Sequence, residues 1–126
     1  MIIYVPRGKG NGGRSPRTVE MLDIYPTLAD LCGIEPPKAF AGRSLKPLLQ
    51  NPKAKWGKAA LTQVSNNDRN GRCVRTERWR YTEWDGGNAG AELYDHRKDP
   101  QELKNLAKDL HVNSVIEELK PFVRKR

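Results

Sequence analysis

The chain has 126 residues, of which 37% are hydrophobic and 30% charged, and its formal net charge is +8. A chain of this length forms one modest domain at most, and its three Trp and four Tyr residues distinguish it from disordered sequences. No stretch approaches the roughly 20 apolar residues of a membrane span, and the first residues lack the apolar core of an export signal. The composition therefore excludes a membrane-spanning protein, a collagen and a disulfide-stapled miniprotein.

The positive charge is concentrated in the middle third of the chain. Residues 43–84 carry ten basic and three acidic side chains, whereas residues 85–126 carry eight of each. A basic segment attracts anions, among them nucleic acid, anionic sugars, and phosphate or sulfate esters. The charge alone does not choose among them.

The first half of the chain predicts one strand and one main helix. Residues 2–5 form an apolar run that predicts a buried strand, and residues 7–17 form a basic, glycine-rich loop. Residues 23–32 predict a helix, with Asp23 as N-cap, Pro26 in the first turn and Gly33 as the stop. A short helical turn is predicted at residues 45–49. Cys32 lies in the apolar pattern of the helix and is predicted to be a buried free thiol.

The second half of the chain changes to a period of two. Residues 59–64, 73–76, 79–84 and 91–94 predict an antiparallel meander of about four strands. Residues 114–123 predict a terminal amphipathic helix, which Pro121 is expected to kink or shorten. The cysteines Cys32 and Cys73 have no metal-ligand spacing, and whether they form a disulfide stays open.

Two histidines and one glycine-rich loop contain residue types that could support chemistry. Asp95 and His96 are adjacent and could ligate a cation, but neighbours on a strand point to opposite faces, which favours a structural role. His111 stands in a polar stretch and is predicted to face solvent. The loop at residues 8–13 lacks the Lys-Ser/Thr of a phosphate-binding loop, so a flexible connection is favoured over an anion cradle.

The predicted hairpin combines basic and aromatic residues. One interpretation is a nucleic-acid face, in which aromatics stack on bases and arginines bind phosphate. The other is a core hairpin with aromatics inside and arginines outside, which the alternation favours. The residues concerned are Arg72, Arg75, Arg78, Arg80, Trp79, Tyr81 and Trp84.

A polar loop precedes this hairpin. Loops of this kind line pockets that are built mainly by other parts of a protein. We therefore predict substrate contacts from Asn66, Asn67, Arg69 and Arg72.

Several segments together resemble the formylglycine-dependent sulfatases, in particular the bacterial iduronate-2-sulfatase-like enzymes. MLDIYPTLADLCGIEPP, followed by AGRSLKPLLQNP, is similar to a helix and loop of that family. VRTERWRYTEW, followed by AELYDHRKDPQELKNLA, is similar to its C-terminal hairpin and the run after it. The resemblance extends over residues 2–120, and the order and spacing of the motifs also agree with the family.

The resemblance implies an α+β fragment of an alkaline-phosphatase-like enzyme. Residues 1–50 would be the last strand, helix and loop of the truncated catalytic α/β domain. Residues 51–126 would be the C-terminal subdomain, a small antiparallel sheet with a helix. The implied activity is hydrolysis of sulfate esters on sugars, with a formylglycine made from the Cys of a Cys-x-Pro-x-Arg motif and with calcium in the full-length enzyme.

This chain departs from the family at the catalytic motifs. Neither Cys32 nor Cys73 is followed by a proline two residues later, as the Cys-x-Pro-x-Arg motif requires. The family's paired metal-binding aspartates are also absent. Asp95-His96 lies in the C-terminal motif and does not correspond to the family's metal pair. We therefore expect no catalytic residue, no metal ligand and no cofactor in this chain, and no activity of the chain alone.

Partners and location follow from the same resemblance. The expected partners are a sulfated carbohydrate, when the N-terminal part is present, and a complementing N-terminal sulfatase fragment. Apolar surface should then be exposed on residues 2–5 and 24–32. Full-length relatives are usually exported, and the compartment of this chain stays open. The alternative function is a small basic module that binds nucleic acid or anionic polysaccharide, which requires exposed aromatics beside exposed arginines.

Overall fold

A computed structural model describes residues 1–35, 41–66 and 68–124 of the chain. The chain forms two compact units, a first unit of Met1–Lys58 and a second unit of Ala59–Arg126. None of the helices in these described ranges is long and apolar enough to cross a membrane. The assignment of residues 1–50 to a catalytic domain and 51–126 to a C-terminal subdomain stays a prediction.

The helices of the first unit follow the predicted pattern. A 3-10 turn at Met21–Asp23 leads into helix α1, Ile24–Leu31. A second, short helix, α2, spans Lys46–Gln50. Pro26 lies in the first turn of α1, and Gly33 follows the helix with a φ of 69°. A small core packs Leu48 against Trp56.

Residues 2–5 differ from the predicted buried strand. Ile2 is 100% exposed and Tyr4 is exposed, and no described strand of the first unit pairs with this segment. The backbone of Val5 instead exchanges hydrogen bonds with the Asn11 side chain, at 3.2 Å from Val5 N to Asn11 Oδ1 and 2.6 Å from Asn11 Nδ2 to Val5 O. An apolar run becomes a strand only where another strand supplies hydrogen-bond partners. The expected exposure of this segment is confirmed.

Two glycines of the basic loop pack closely on the end of α2. A Cβ added to Gly10 would lie 2.0 Å from the Leu49 carbonyl oxygen, and one added to Gly13 would lie 2.7 Å from Pro52 Cγ. Larger residues would push the loop away from this segment. The glycines therefore have a packing role in holding this loop against the segment at the end of α2.

The second unit is the predicted four-stranded antiparallel sheet. Its strands are β1, Ala60–Asn66, β2, Arg69–Arg75, β3, Trp79–Trp84, and β4, Ala91–Asp95, and they lie in the order β1-β2-β3-β4. The observed β3 coincides with its predicted bounds. The observed β2 begins earlier than the predicted residue 73, because pairing with β1 continues to the Asn66–Arg69 pair.

The terminal helix α3, Asn113–Arg124, packs on one face of this sheet. The core between them consists of buried side chains from β2, β3, β4 and α3, namely Val74, Tyr81, Leu93, Ile116, Leu119 and Val123. Pro121 does not shorten the helix as predicted. It removes one N–H, but Val123 beyond it is buried and keeps the last turn against the sheet.

Candidate functional site

Of the predicted substrate-contact residues, Asn66 and Arg69 flank the connection of β1 and β2. The pairing of Asn66 with Arg69 leaves a two-residue connection between the strands. Arg69 is exposed at the start of β2, and Arg72 is half-buried further along it. The backbone of Asn66 ends β1, while Asn67 lies outside the described residues.

Arg72 lines a polar groove of about 660 Å³ in the second unit. Its Nη1 donates to the backbone oxygen of Val123 at 3.4 Å. Asp85 also lines the groove, and its Oδ1 accepts from the backbone N–H of Asn70 at 2.8 Å. The groove therefore places an arginine and a carboxylate within one cavity, next to the β1–β2 connection.

A buried carboxylate lies at the side of this groove. Glu83, which is 3% exposed, accepts hydrogen bonds from Arg124 Nε at 3.0 Å, Arg124 Nη2 at 2.8 Å and the Tyr81 hydroxyl at 2.7 Å. Burial opposes ionisation of Glu83, but the hydrogen bonds from Arg124 and Tyr81 hold its pKa below the ordinary value. Burial is the largest cause that raises the pKa of Tyr81, and the hydrogen bond with Glu83 raises it further. Glu83 is thus an ionised structural partner of α3.

Two of the four hairpin arginines, Arg78 and Arg80, are engaged in ion pairs. Arg78 donates to Asp95 through Nε at 3.1 Å and Nη2 at 2.7 Å, and its guanidinium lies 4.4 Å from the Trp79 ring centroid. Arg80 pairs with Glu102 at 2.5 Å. A guanidinium already paired with a carboxylate is less available to an external phosphate or sulfate.

The aromatic residues of the hairpin do not form an exposed stacking surface. Tyr81 is buried, and Trp79 and Trp84 are half-buried. Trp84 lies against Gly71 of the neighbouring strand, where an added Cβ would lie 2.7 Å from Trp84 Cζ3. The core-hairpin interpretation is therefore supported, and the nucleic-acid alternative loses the exposed aromatics that it requires.

Asp95 and His96 have separate structural roles. Asp95 is buried, and the hydrogen bond from Arg78 holds its pKa below the ordinary value against the effect of burial. His96 Nε2 lies 2.6 Å from Glu102 Oε1. The predicted structural role of the pair is confirmed, as is the exposure of His111.

The described residues do not fit a calcium site. Within residues 1–35, 41–66 and 68–124, no group of three or more His, Cys, Asp or Glu side chains could hold a metal ion.

Helix α1 exposes the apolar face that was predicted for it. Leu28 is 56% exposed, and Tyr25 is exposed on the same helix. Cys32 and Cys73 are both free thiols, and Cys32 is exposed. The prediction that Cys32 is buried was wrong, because the apolar stripe to which it belongs faces outward.

The most buried charge of the first unit was missed by the sequence analysis. Asp23 is 0% exposed and accepts from the backbone N–H groups of Glu20 at 2.9 Å and Arg43 at 2.8 Å, and from Lys58 Nζ at 2.6 Å. Its side chain does not cap α1 as predicted, but joins Glu20 in a capping box around the 3-10 turn. The spacing of Glu20 and Asp23, three residues apart, was the available signal. Burial opposes its ionisation, but Lys58 and the two N–H groups hold the pKa of Asp23 below 3.8.

Comparison with known proteins gives the family. The family described as N-sulphoglucosamine sulphohydrolase, C-terminal, matches residues 1–126. This chain belongs to the sulfatase family. The sulfatase resemblance in the sequence motifs is thereby confirmed.

Individual sulfatases share extended segments with the chain. It is 42% identical over 106 residues to Delta 4,5-hexuronate-2-O-sulfatase of Bacteroides thetaiotaomicron, which covers 80% of this chain and 22% of that enzyme. It is 34% identical over 105 residues to Arylsulfatase K of Mus musculus, which covers 73% of this chain and 18% of that protein. The chain therefore spans about a fifth of the length of these relatives.

Solved sulfatase structures share the fold. A 2-O GAG sulfatase superposes with a TM-score of 0.72 at 40% identity, over 82% of this chain and 23% of that one. A sulfatase solved with its substrate D-glucosamine-2-N,6-O-disulfate superposes with a TM-score of 0.70 at 27% identity, over 82% of this chain and 22% of that one. These sulfatases have the alkaline-phosphatase-like fold, so the predicted fold class is confirmed.

Proposed function

We propose that this sulfatase chain serves as the C-terminal part of a sulfuric ester hydrolase that removes sulfate from sulfated sugars. The observation that carries the proposal is the family match over residues 1–126, together with 42% identity to a hexuronate-2-O-sulfatase. In this proposal the chain contributes substrate contacts and structure, while the nucleophile belongs to another part of the enzyme.

The substrate contacts are assigned to the end of the sheet where β1 and β2 meet. Arg69 and Arg72 carry positive charge there, and Arg72 shares its groove with the polar side chains of Asn70 and Gln63. Guanidinium groups bind sulfate and carboxylate oxygens through charge-assisted hydrogen bonds, and amides bind sugar hydroxyls. Asn66 and Asn67 belong to the same proposed contact.

The resemblance implies a formylglycine and a calcium ion for the full-length enzyme. In that enzyme the formylglycine would supply the attacking group, and the calcium ion would stabilise charge. The described residues provide no ligand set for calcium. No step of the proposal is therefore assigned to calcium on this chain.

The exposed face of α1 supports pairing with the remaining part of a sulfatase. Met21, Tyr25 and Leu28 expose apolar surface on one short segment. Contiguous exposed apolar surface of this kind marks protein–protein contacts. Relatives that are several times longer contain further chain that could cover it. We assign this face to the complementing N-terminal part.

A chimera tests the proposed function. The matching 106-residue segment of the Bacteroides hexuronate-2-O-sulfatase is replaced by the segment of this chain. We expect sulfate release from a 2-O-sulfated unsaturated hexuronate disaccharide, with kcat/KM within about tenfold of the parent, which is about 1.4 kcal/mol in transition-state stabilisation. The chain alone should release none.

The controls for the chimera separate folding from chemistry. The parent enzyme sets the upper limit of sulfate release, and a chimera in which the residue that becomes formylglycine is changed to alanine sets the lower limit. A chimera that melts like the parent but releases no sulfate from 2-O- or 6-O-sulfated sugars would contradict the proposal. Release from 6-O-sulfated N-acetylglucosamine alone would overturn the iduronate-2-sulfatase-like assignment and leave the sulfatase class intact.

Within an active chimera, Arg69→Gln is expected to raise KM about tenfold with little change in kcat, because a charge-assisted hydrogen bond contributes about 1.5–3 kcal/mol. Arg97→Gln, at another exposed arginine of the second unit, is the matched control. Steady-state kinetics on the disaccharide checks this. Equal KM values in the Arg69 variant, the Arg97 variant and the unchanged chimera would remove Arg69 from the contact.

A further inference from the structure

The first unit contains basic side chains that no acidic side chain neutralises. Residues 7–19 and 36–67 contain no Asp or Glu. Among the described acids of the unit, Glu20 and Asp23 bind Lys58, and Asp30 binds Lys46. Six exposed Lys and Arg side chains in the described part of this unit have no ion pair, Arg7 and Arg43 among them. The other four, Lys9, Arg14, Lys53 and Lys55, lie on two neighbouring segments, and we name them the basic ridge.

The two segments that carry the basic ridge are fastened together. Arg17 donates from Nε to the carbonyl oxygen of Ala54 at 2.9 Å and from Nη2 to that of Lys53 at 2.8 Å. Gly13, next to Arg14, packs on Pro52, next to Lys53. The cations are therefore held on neighbouring stretches of backbone, so little ordering of the loop is needed when an anion binds.

A groove of about 580 Å³ adjoins the ridge. Arg14 and Ser15 line it together with apolar side chains, including Leu49 and Pro52. A sugar ring presents both hydroxyl groups and apolar C–H faces, which such a mixed lining can contact. Among the described residues that line the groove none is aromatic, whereas binding of single-stranded nucleic acid relies on aromatic stacking. The lining thus favours a glycan over a nucleic acid.

We propose that the basic ridge and its groove form a docking surface for a sulfated glycan chain. The inference rests on the proposed function, because it takes the polymer to be of the class to which the sulfated sugar substrate belongs. Clustered cations bind a polyanion by releasing its condensed counterions, so affinity falls as salt rises. The surface would hold the polymer through its sulfate groups, largely independently of which sulfate is removed.

The test compares two charge-matched variants of the 126-residue chain. The ridge variant carries Lys9→Gln, Arg14→Gln, Lys53→Gln and Lys55→Gln. The control variant carries Arg97→Gln, Lys98→Gln, Lys104→Gln and Lys108→Gln, which changes four exposed cations of the second unit. Both variants lose the same net charge. Circular dichroism melting confirms that each retains the fold.

Binding of heparin oligosaccharides is measured by titration calorimetry at two salt concentrations, beside desulfated heparin and single-stranded DNA of equal charge. We expect the ridge variant to bind heparin at least tenfold more weakly with a shallower salt dependence, and the control variant to change less than threefold. Equal losses of heparin affinity in both variants would overturn the proposal, because they would show that heparin responds only to the net charge of the chain. DNA that binds the ridge as tightly as heparin would overturn it in favour of a nucleic-acid surface.

This experiment fails independently of the proposed function. It measures binding by the chain alone, whereas the chimera measures sulfate release. A ridge that binds heparin beside an inactive chimera would contradict only the enzymatic role. An active chimera beside a ridge variant with unchanged heparin affinity would contradict only the docking surface.

Discussion

Replacement of Asp23 by asparagine is expected to lower the free energy of unfolding of the first unit by about 3 kcal/mol at pH 7, as is usual when one member of a buried ion pair is removed. The carboxylate of Asp23 is fully buried and joins Lys58 to the backbone at Glu20 and Arg43. An amide cannot neutralise the Lys58 ammonium. Hydrogen exchange of the α1 amides measures the loss in this unit directly.

Asp30→Asn is the matched control for this prediction. Asp30 also pairs with a lysine, Lys46 at 2.8 Å, but both side chains are more than a third exposed. An exposed pair of this kind contributes about 0–1 kcal/mol. Similar losses in the Asp23 and Asp30 variants would show that burial of Asp23 does not determine its contribution.

The pH dependence of this loss has a defined sign. Because the pKa of Asp23 in the folded chain is lower than its ordinary 3.8, the carboxylate stabilises the fold above that value. The contribution is lost as pH falls below 3.8 and through the folded-state pKa. We expect the difference between wild type and Asp23→Asn in α1 protection to shrink over that range. A difference that grows on acidification would contradict the assignment.

Glu83→Ala is expected to lower the free energy of unfolding of the second unit by about 3 kcal/mol. The substitution removes the acceptor of three hydrogen bonds from Tyr81 and Arg124, and leaves the buried Tyr81 hydroxyl without that partner. It also removes the ion pair that connects β3 to the end of α3. Hydrogen exchange of the β3 and α3 amides is the measurement.

Glu117→Ala is the control for Glu83, since Glu117 is an exposed carboxylate of α3 whose ion pair is with the neighbouring Lys120. Its substitution should change the free energy of unfolding by less than about 0.5 kcal/mol. Glu83→Gln retains an acceptor for Tyr81, so its loss in free energy of unfolding should lie between those of Glu83→Ala and Glu117→Ala. Glu83→Ala as stable as Glu117→Ala would mean that the buried network contributes nothing.

The sheet was predictable where side chains alternate and less so where pairing alone makes the strand. In β3, the sequence alternates Trp79, Tyr81 and Glu83 with Arg80 and Thr82, and this alternation defined both ends, although Thr82 is buried as well. The start of β2 contains Arg69, Asn70 and Gly71, which carry no apolar alternation. That segment is a strand because β1 lies beside it, which a local pattern does not contain.

The candidate site was predictable to a smaller extent. The polar connection of β1 and β2 could be identified from composition, but the groove at Arg72 depends on Val123 and Asp85, which are distant in sequence. Asp23 was assigned to the helix cap because aspartate is a preferred capping residue, whereas its burial depends on Lys58, which is distant in sequence. Residues 2–5 showed the opposite error, since an apolar run does not specify a partner strand.

The outward-facing apolar residues of α1 have a consequence for the life of the chain in a cell. Chaperones and proteases act on proteins that expose apolar surface, and a partner that covers such a surface stabilises the folded state by mass action. Tyr25 and Leu28 would distinguish the unassembled chain from the assembled enzyme. With the complementing part proposed above, the steady-state amount of this chain should follow the supply of that part more closely than its own rate of synthesis.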